Sequence, residues 1–116
     1  MGPEQIWRQA LADGEFRLQR ARASGRYFFP PRVAEPGTGD RDWEWVRASG
    51  NGTVYSMTIV HPRPPAAPYN VVLVDLAEGP RVMSRVVGAD RVHIGMAVRA
   101  RIDRAGDEAL LLFEPA

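Results

Sequence analysis

From Phe16 to the C-terminus, apolar and polar residues alternate with a period of two, and turns rich in glycine and proline interrupt them at short intervals. In one segment, Val98, Ala100 and Ile102 alternate with charged residues. This alternation predicts strands that bury one face, and the regular turn signals predict antiparallel neighbours. No long helical pattern separates the strands. A chain of this kind is therefore predicted to be mainly β.

The first residues carry the only helical pattern. Pro3 suits a first helical turn, Glu4 suits a helix N-terminus and Gly14 suits a stop, so a short helix is predicted over residues 3–13. An isolated helix of this length is marginal in water, and it must therefore dock on its own domain or on a partner. The face expected to dock consists of Ile6, Trp7, Ala10 and Leu11.

The predicted strands fall into an N-terminal hairpin and a C-terminal barrel. The hairpin joins residues 16–19 to residues 26–29, and residues 1–42 are predicted to form one unit with the helix. Residues 43–116 are predicted to form a five-stranded OB-fold barrel, because closure removes exposed strand edges. The connector GADRVHIG lies where that fold inserts a helix or loop. Strand patterns in this part, five of them substantial, are predicted at 43–46, 53–61, 71–76, 81–87, 96–103 and 110–114.

Composition excludes several kinds of chemistry. The chain has no cysteine and no lysine, so disulfides, thiolate nucleophiles, Schiff-base lysines and phosphate-loop lysines are excluded. Hydrophobic residues make up 45% of the chain, yet no apolar run approaches the roughly 20 residues of a membrane span. The start does not resemble a secretory signal. We therefore expect a cytoplasmic protein that does not contact a membrane.

All 15 basic residues are arginines, and five of them fall within sixteen residues. No acidic residue lies between Phe16 and Ala34, so this segment is locally cationic. Two interpretations stay open: these are solvated loop arginines, or they bind a phosphate-bearing ligand or an acidic partner. The five are Arg17, Arg20, Arg22, Arg26 and Arg32.

An independent active site is not expected. A nucleophilic triad needs a histidine beside a nucleophile and a carboxylate, and the chain has only His61 and His93. Both are interpreted as loop or turn residues. Asp75 ends an apolar strand and is predicted to pair with Arg81 or Arg85 across a hairpin.

Three sequence stretches together resemble the DUF35 family of acyl-CoA-associated OB-fold proteins. They are LQRARASGRYFFPPR, the pair WEWV and SGNGTVYSMTIVH, and DLAEGPRVMSRVVG followed by IGMAVRARI. The resemblance implies an N-terminal helix, a rubredoxin-like zinc ribbon and an OB barrel. The two Cys-x-x-Cys pairs of the family fall on Ala21 and Ser24, and on Ala34 and Gly37. All four ligands are absent, so the resemblance implies a degenerate ribbon without zinc.

The resemblance also implies a non-catalytic role. Family members resemble accessory or scaffold subunits of thiolase-like enzymes, retro-aldolases or MaoC-like enoyl-CoA hydratases in lipid metabolism. We accordingly expect such a partner subunit, or a homodimer in its absence, with residues 3–33 as the contact. A CoA thioester is the candidate ligand, and its candidate contacts are Arg20, Arg22, Arg26, Arg32, Tyr27, Phe28 and Phe29.

A single-stranded nucleic-acid-binding OB protein is the alternative. Such sites combine a basic groove with aromatic stacking platforms on the barrel. The barrel strands offer only Tyr55 and Phe113, with Tyr69 at a strand entrance, and the arginine cluster lies outside the barrel. Nucleic-acid binding is therefore not expected.

Overall fold

A computed structural model describes residues 2–116. Within these residues, one short helix precedes eight strands, which form a three-stranded and a five-stranded sheet. The mainly β class predicted from the alternation is confirmed. The elements are α1 (Pro3–Ala12), β1 (Arg17–Ala21), β2 (Tyr27–Phe28), β3 (Trp43–Arg47), β4 (Asn51–Val60), β5 (Tyr69–Leu76), β6 (Arg81–Ser84), β7 (Ala97–Ala105) and β8 (Glu108–Pro115).

Helix α1 is fixed to both sheets. The indole Nε1 of Trp7 donates a hydrogen bond to the carbonyl oxygen of Arg17 in β1 at 2.9 Å. At the other end, Nη2 of Arg104 in β7 donates to the carbonyl oxygen of Ala12 at 2.5 Å. Leu11 is buried and belongs to the same core cluster as the barrel residues. The helix therefore docks on its own chain.

The three-stranded sheet has the order β2-β1-β3, with both pairs antiparallel. Arg20 lies opposite Tyr27, while Gln19 lies between Phe28 on one side and Trp45 on the other. The hairpin predicted from the N-terminal alternation is present as the β1–β2 pair. The central strand β1 gains a hydrogen-bonded neighbour on each edge, and this arrangement buries Gln19.

Strand β3 lies in a different sheet from the one that the sequence pattern indicated. The sequence pattern predicts that residues 43–46 belong to the barrel. In the structure, β3 instead pairs with β1 of the three-stranded sheet along its whole length. Alternation shows which face of a strand is buried and does not identify its neighbour. The division of the chain into 1–42 and 43–116 stays a prediction, and the strand pairing itself changes sheets between Arg47 and Asn51.

The five-stranded sheet has the order β6-β5-β4-β7-β8 and curls into a barrel. An isolated parallel bridge between Val86 and Phe113 joins the chain after β6 to β8. At this seam the amide of Val87 donates to the carbonyl of Phe113 at 2.8 Å, and the amide of Phe113 donates to the carbonyl of Arg85 at 2.9 Å. This order and this closure are those of the OB-fold, so the predicted fold is confirmed.

The two sheets share one hydrophobic core. Phe16 and Leu18 from the N-terminal part lie in the same cluster as the inward-facing residues of the barrel. The N-terminal part is therefore packed into the barrel's own core. The buried barrel residues of this cluster are Val54, Val72, Val74, Leu76, Val82, Val86, Val98 and Phe113.

Candidate functional site

The four candidate arginines lie at the surface of the small sheet, but they are not equivalent. Arg22 pairs with Asp42, with 3.1 Å between Nε and Oδ1, and with Glu44 at 3.4 Å. The guanidinium of Arg20 stands 5.6 Å from the ring centroid of Tyr27. Among residues 2–116, no carboxylate lies within ion-pair distance of Arg20, Arg26 or Arg32. The cationic group available to a ligand is therefore smaller than the sequence indicated.

The three candidate aromatics do not form one exposed surface. Phe28 is 7% exposed and packs edge-on against Trp43, with ring centroids 6.4 Å apart. Phe29 packs edge-on against Trp7 of α1 at 5.5 Å. Tyr27 is half-buried. Buried Phe28 offers no surface to a ligand, because its strand turns it toward the tryptophans of the small sheet.

The first tight turn, residues 21–26, is closed by three hydrogen bonds. The amide of Gly25 donates to the carbonyl of Ala21 at 2.9 Å, and the amide of Ala21 donates to the carbonyl of Arg26 at 2.9 Å. The amide of Arg26 donates to Oγ of Ser24 at 3.2 Å. Gly25 has a φ of +73°, a conformation that residues with a side chain rarely adopt.

The second tight turn repeats this pattern in residues 35–40. The amide of Gly39 donates to the carbonyl of Glu35 at 2.9 Å, and the amide of Glu35 donates to the carbonyl of Asp40 at 2.8 Å. The amide of Asp40 donates to Oγ1 of Thr38 at 3.2 Å. Gly39 has a φ of +73°, the same as Gly25. The two turns thus share the same three hydrogen bonds at equivalent positions.

This match corrects the position of the second turn. The sequence indicated Ala34 and Gly37 as the second pair of former ligand positions, but the hydrogen bonds align Glu35 with Ala21 and Thr38 with Ser24. Without cysteines, a two-residue spacer fits several registers, so the sequence alone does not fix which of them the second turn adopts. The equivalent positions are Ala21, Ser24, Glu35 and Thr38.

The side chain of Glu35 joins the two turns. This residue is 4% exposed, and its carboxylate accepts hydrogen bonds from Oγ of Ser24 and from Oγ1 of Thr38, each at 2.7 Å. The bonds from Thr38 and Ser24, together with the charge of Arg26, hold the pKa of Glu35 below its usual value of 4.5. The carboxylate is therefore ionised at neutral pH, with a donor from each turn.

Gln19 is the second buried polar side chain of this region. It is 1% exposed, its Nε2 donates to the carbonyl of Arg32 at 2.6 Å, and its Oε1 accepts from the amide of Arg32 at 2.7 Å. Nearby, Nε1 of Trp43 donates to the carbonyl of Val33 at 2.7 Å. The segment between the turns is therefore attached to the small sheet through its main chain. Sequence reasoning missed both Gln19 and Glu35, because isolated polar residues are usually exposed.

A second candidate surface lies at one end of the barrel, and no sequence motif indicated it. A cleft of about 520 Å³ is lined by the apolar side chains of Met57, Ile59 and Val92, with Arg91 and His93 among its other walls. It lies between strand β4, strand β5 and the connector that precedes β7. Its mixed lining suits a ligand with an apolar part and an anionic group.

Neither histidine belongs to a hydrogen-bonded triad within residues 2–116. His61 and His93 are exposed, and within residues 2–116 no hydrogen bond joins either ring to another side chain. No group of three or more His, Asp or Glu side chains in the same range could hold a metal ion. Helix α1 is also far too short to cross a membrane, and no other helix occurs in this range.

Two matched turns beside a small barrel define an OB-fold protein with an N-terminal ribbon of the zinc-ribbon type. The sequence profile of the ChsH2 C-terminal OB-fold domain matches residues 45–103. A protein of Methanocaldococcus jannaschii, named as a DUF35 domain-containing scaffold protein, is 32% identical over 104 residues, or 81% of this chain and 74% of its own length. The chain belongs to the DUF35 family.

Two further relatives extend the likeness to named enzymes. A protein of Thermomonospora curvata, named as a probable enoyl-CoA hydratase alpha subunit, is 37% identical over 96% of this chain. The chain spans only 37% of that subunit's length. A chain of the solved Ltp2-ChsH2(DUF35) aldolase superposes with a TM-score of 0.84 at 34% identity, covering 97% of this chain and 94% of the other.

Proposed function

We propose that this chain is a non-catalytic accessory or scaffold subunit of an acyl-CoA-processing enzyme. The observation that carries the proposal is the likeness over nearly the whole chain to proteins named as a hydratase alpha subunit and as an aldolase containing a DUF35 part. The partner is a thiolase-like enzyme, a retro-aldolase of that kind, or a MaoC-like hydratase.

The structure gives no support to the nucleic-acid alternative. Phe113 is completely buried in the barrel core. The guanidinium of Arg81, which pairs with Asp75 as predicted, covers the ring of Tyr55 at 3.4 Å from its centroid. Arg85 covers Tyr69 in the same way at 5.3 Å. Phe113 therefore cannot stack on a base, and the two exposed tyrosines, each with an arginine beside its ring, form a small platform.

The ribbon is our proposed contact with the partner enzyme. Val33 is 55% exposed in the segment between the two turns, and exposed Arg26 and Arg32 lie nearby in sequence. Interfaces commonly combine an apolar centre with surrounding arginines. Deleting the N-terminal part is not a suitable test, because the deletion would disrupt the rest of the fold. Strand β3 would lose β1, its neighbour in the small sheet, and the shared core would lose Phe16 and Leu18.

Point variants of the full chain test the partnership. We expect the wild type to co-purify with a thiolase-like or MaoC-like hydratase encoded by a neighbouring gene when both are co-expressed. Val33→Asp is expected to lower recovery of the enzyme about tenfold, because it places a charge in the apolar centre of the contact. Met83→Asp is the matched control, since Met83 is 71% exposed on the barrel.

Two results would count against the proposal. If the wild type recovers none of the neighbouring acyl-CoA enzymes, the accessory role is wrong. If Met83→Asp abolishes recovery while Val33→Asp does not, the barrel makes the contact and the ribbon does not.

A CoA thioester is the proposed small-molecule ligand. Arginine side chains suit its phosphates, and of the four candidates Arg20, Arg26 and Arg32 are exposed without an ion-pair partner in residues 2–116. Arg20 lies beside the ring of Tyr27, so the double variant uses the other two. We expect the double variant Arg26→Ala, Arg32→Ala to weaken CoA binding about tenfold in calorimetric titrations. Arg63→Ala, in the proline-rich loop, is the control and should bind as the wild type does.

The barrel cleft supplies the contrasting outcome. If Arg91→Ala weakens CoA binding and the ribbon double variant does not, the ligand lies in the cleft lined by Met57 and Ile59. In that case the assignment of the ribbon arginines to phosphate binding is wrong.

A further inference from the structure

Zinc ribbons hold their metal between two turns, each of which supplies a pair of ligands with a two-residue spacer. The two turns of this chain have that spacing and match each other hydrogen bond for hydrogen bond. We propose that the carboxylate of Glu35 takes the place of the metal ion, and that it holds the two turns together through the hydroxyls of Ser24 and Thr38.

Zinc does not fit the residues present. Of the four equivalent positions, Ala21 has no ligand atom, and Ser24 and Thr38 offer hydroxyls that already donate to Glu35. Structural zinc takes four ligands, chiefly thiolates and imidazoles. Of the four positions only Glu35 is left as a candidate ligand, and its carboxylate already accepts two hydrogen bonds. The ribbon is therefore held without a metal.

The sizes of the side chains at the four equivalent positions agree with a carboxylate in place of the metal ion. Ala21 is the shortest of the four and is completely buried, whereas Glu35 is the longest and is nearly buried. A glutamate carboxylate extends farther from its main chain than a thiolate sulfur, so it reaches beyond its own turn. Its two oxygens are shared between the turns: Oε2 accepts from Ser24 of the first turn and Oε1 from Thr38 of the second.

The negative charge of Glu35 strengthens the two hydrogen bonds that its carboxylate accepts. Hydrogen bonds to an ionised acceptor are stronger than those between neutral groups, and removing one partner of a buried group leaves the others unpaired. The charge of Arg26, in the first turn, favours the ionised form of Glu35. Asp40, in the second turn, accepts a hydrogen bond from the Glu35 amide through its main-chain carbonyl. No buried side-chain polar atom in residues 2–116 lacks a partner.

Removing the carboxylate tests its structural role. Glu35→Ala is expected to lower Tm by about 4–8 °C, because it removes the nearly buried, charged acceptor that joins Ser24 of the first turn to the second turn. Glu108→Ala, at an exposed position of β8, is the matched control and should change Tm by less than about 2 °C. A chelator is expected to leave the wild-type Tm unchanged.

Restoring thiolates tests the geometry. The quadruple variant Ala21→Cys, Ser24→Cys, Glu35→Cys, Thr38→Cys is expected to bind one Co²⁺ or Zn²⁺ per chain, and its cobalt form should have the absorption spectrum of a tetrahedral thiolate site. The metal should also raise the Tm of this variant. Cysteines at positions 21, 24, 34 and 37 form the control, which keeps the same number of thiols in the other register and should bind far more weakly.

Clear results would overturn the proposal. Equal or tighter metal binding by the 34 and 37 set would show that the turns are not aligned as we describe. Failure of the 35 and 38 set to bind cobalt, in a variant whose circular dichroism shows it folded, would show the same. A Glu35→Ala Tm equal to that of the wild type would show that the carboxylate does not hold the turns together, whatever the cysteine variants bind.

Discussion

Replacing Phe113 with alanine is expected to lower the free energy of unfolding by about 3–5 kcal/mol. Phe113 is completely buried at the seam where β8 meets the chain after β6. Its ring lies in the core, while its amide and carbonyl form the two hydrogen bonds of the seam. Truncation therefore leaves a cavity beside the isolated bridge between Val86 and Phe113, where, within residues 2–116, only one residue pair joins the chain after β6 to β8. Urea unfolding followed by circular dichroism measures the loss.

Leu110→Ala is the matched control for this prediction. Leu110 is in the same strand but is 37% exposed, so its truncation should cost about 1 kcal/mol or less. Phe113→Leu keeps most of the buried volume and should fall between the two. A loss for Phe113→Ala no greater than that for Leu110→Ala would mean that the barrel interior is not packed around this ring.

The second large effect is expected at Gln19. Gln19→Leu keeps the size of the side chain but removes both hydrogen bonds to the main chain of Arg32. The unpaired amide and carbonyl should lower the free energy of unfolding by about 1–3 kcal/mol. The same substitution at exposed Gln9 in α1 removes no such bond and should be nearly neutral.

A local readout separates this effect from a general loss of stability. In Gln19→Leu, hydrogen exchange of the amides of Arg32 and Glu35 should become faster. Amides in β4 and β5 should still exchange only through global unfolding, so their exchange should change only as much as the free energy of unfolding does. If all regions lose protection equally, Gln19 supports the whole fold and does not anchor the segment between the turns specifically.

Much of the fold could be predicted from alternation and turn residues. The limits of α1, the β1–β2 hairpin and the five barrel strands follow from local patterns, and the Asp75–Arg81 pair follows from their positions across a hairpin. The place of β3 could not be predicted in this way, because a partner strand far away in sequence leaves no local signal. The OB-fold was predicted from closure of the strand edges, and the family resemblance implied the same fold, but the strand order was not predicted.

The candidate site was harder to predict for a different reason. A Cys-x-x-Cys spacing is recognisable only while the cysteines are present, and afterwards Ala34 and Glu35 are equally plausible starting points. The main-chain hydrogen bonds within each turn, made to Gly25 in the first and to Gly39 in the second, fix the register, but they are visible only in the structure. Gln19 and Glu35 are polar residues in polar segments, so nothing in the sequence marks them as buried.

The hydroxyl–carboxylate contact between the turns has a consequence for the cell under stress. Oxidants release zinc from thiolate sites by attacking the sulfur atoms, and this chain has no sulfur in its ribbon, since its cysteine count is zero. Zinc starvation likewise removes nothing that the ribbon needs if Glu35 replaces the ion. Peroxide or metal limitation should therefore leave the ribbon of this chain intact under conditions in which thiolate-bound ribbons lose their shape.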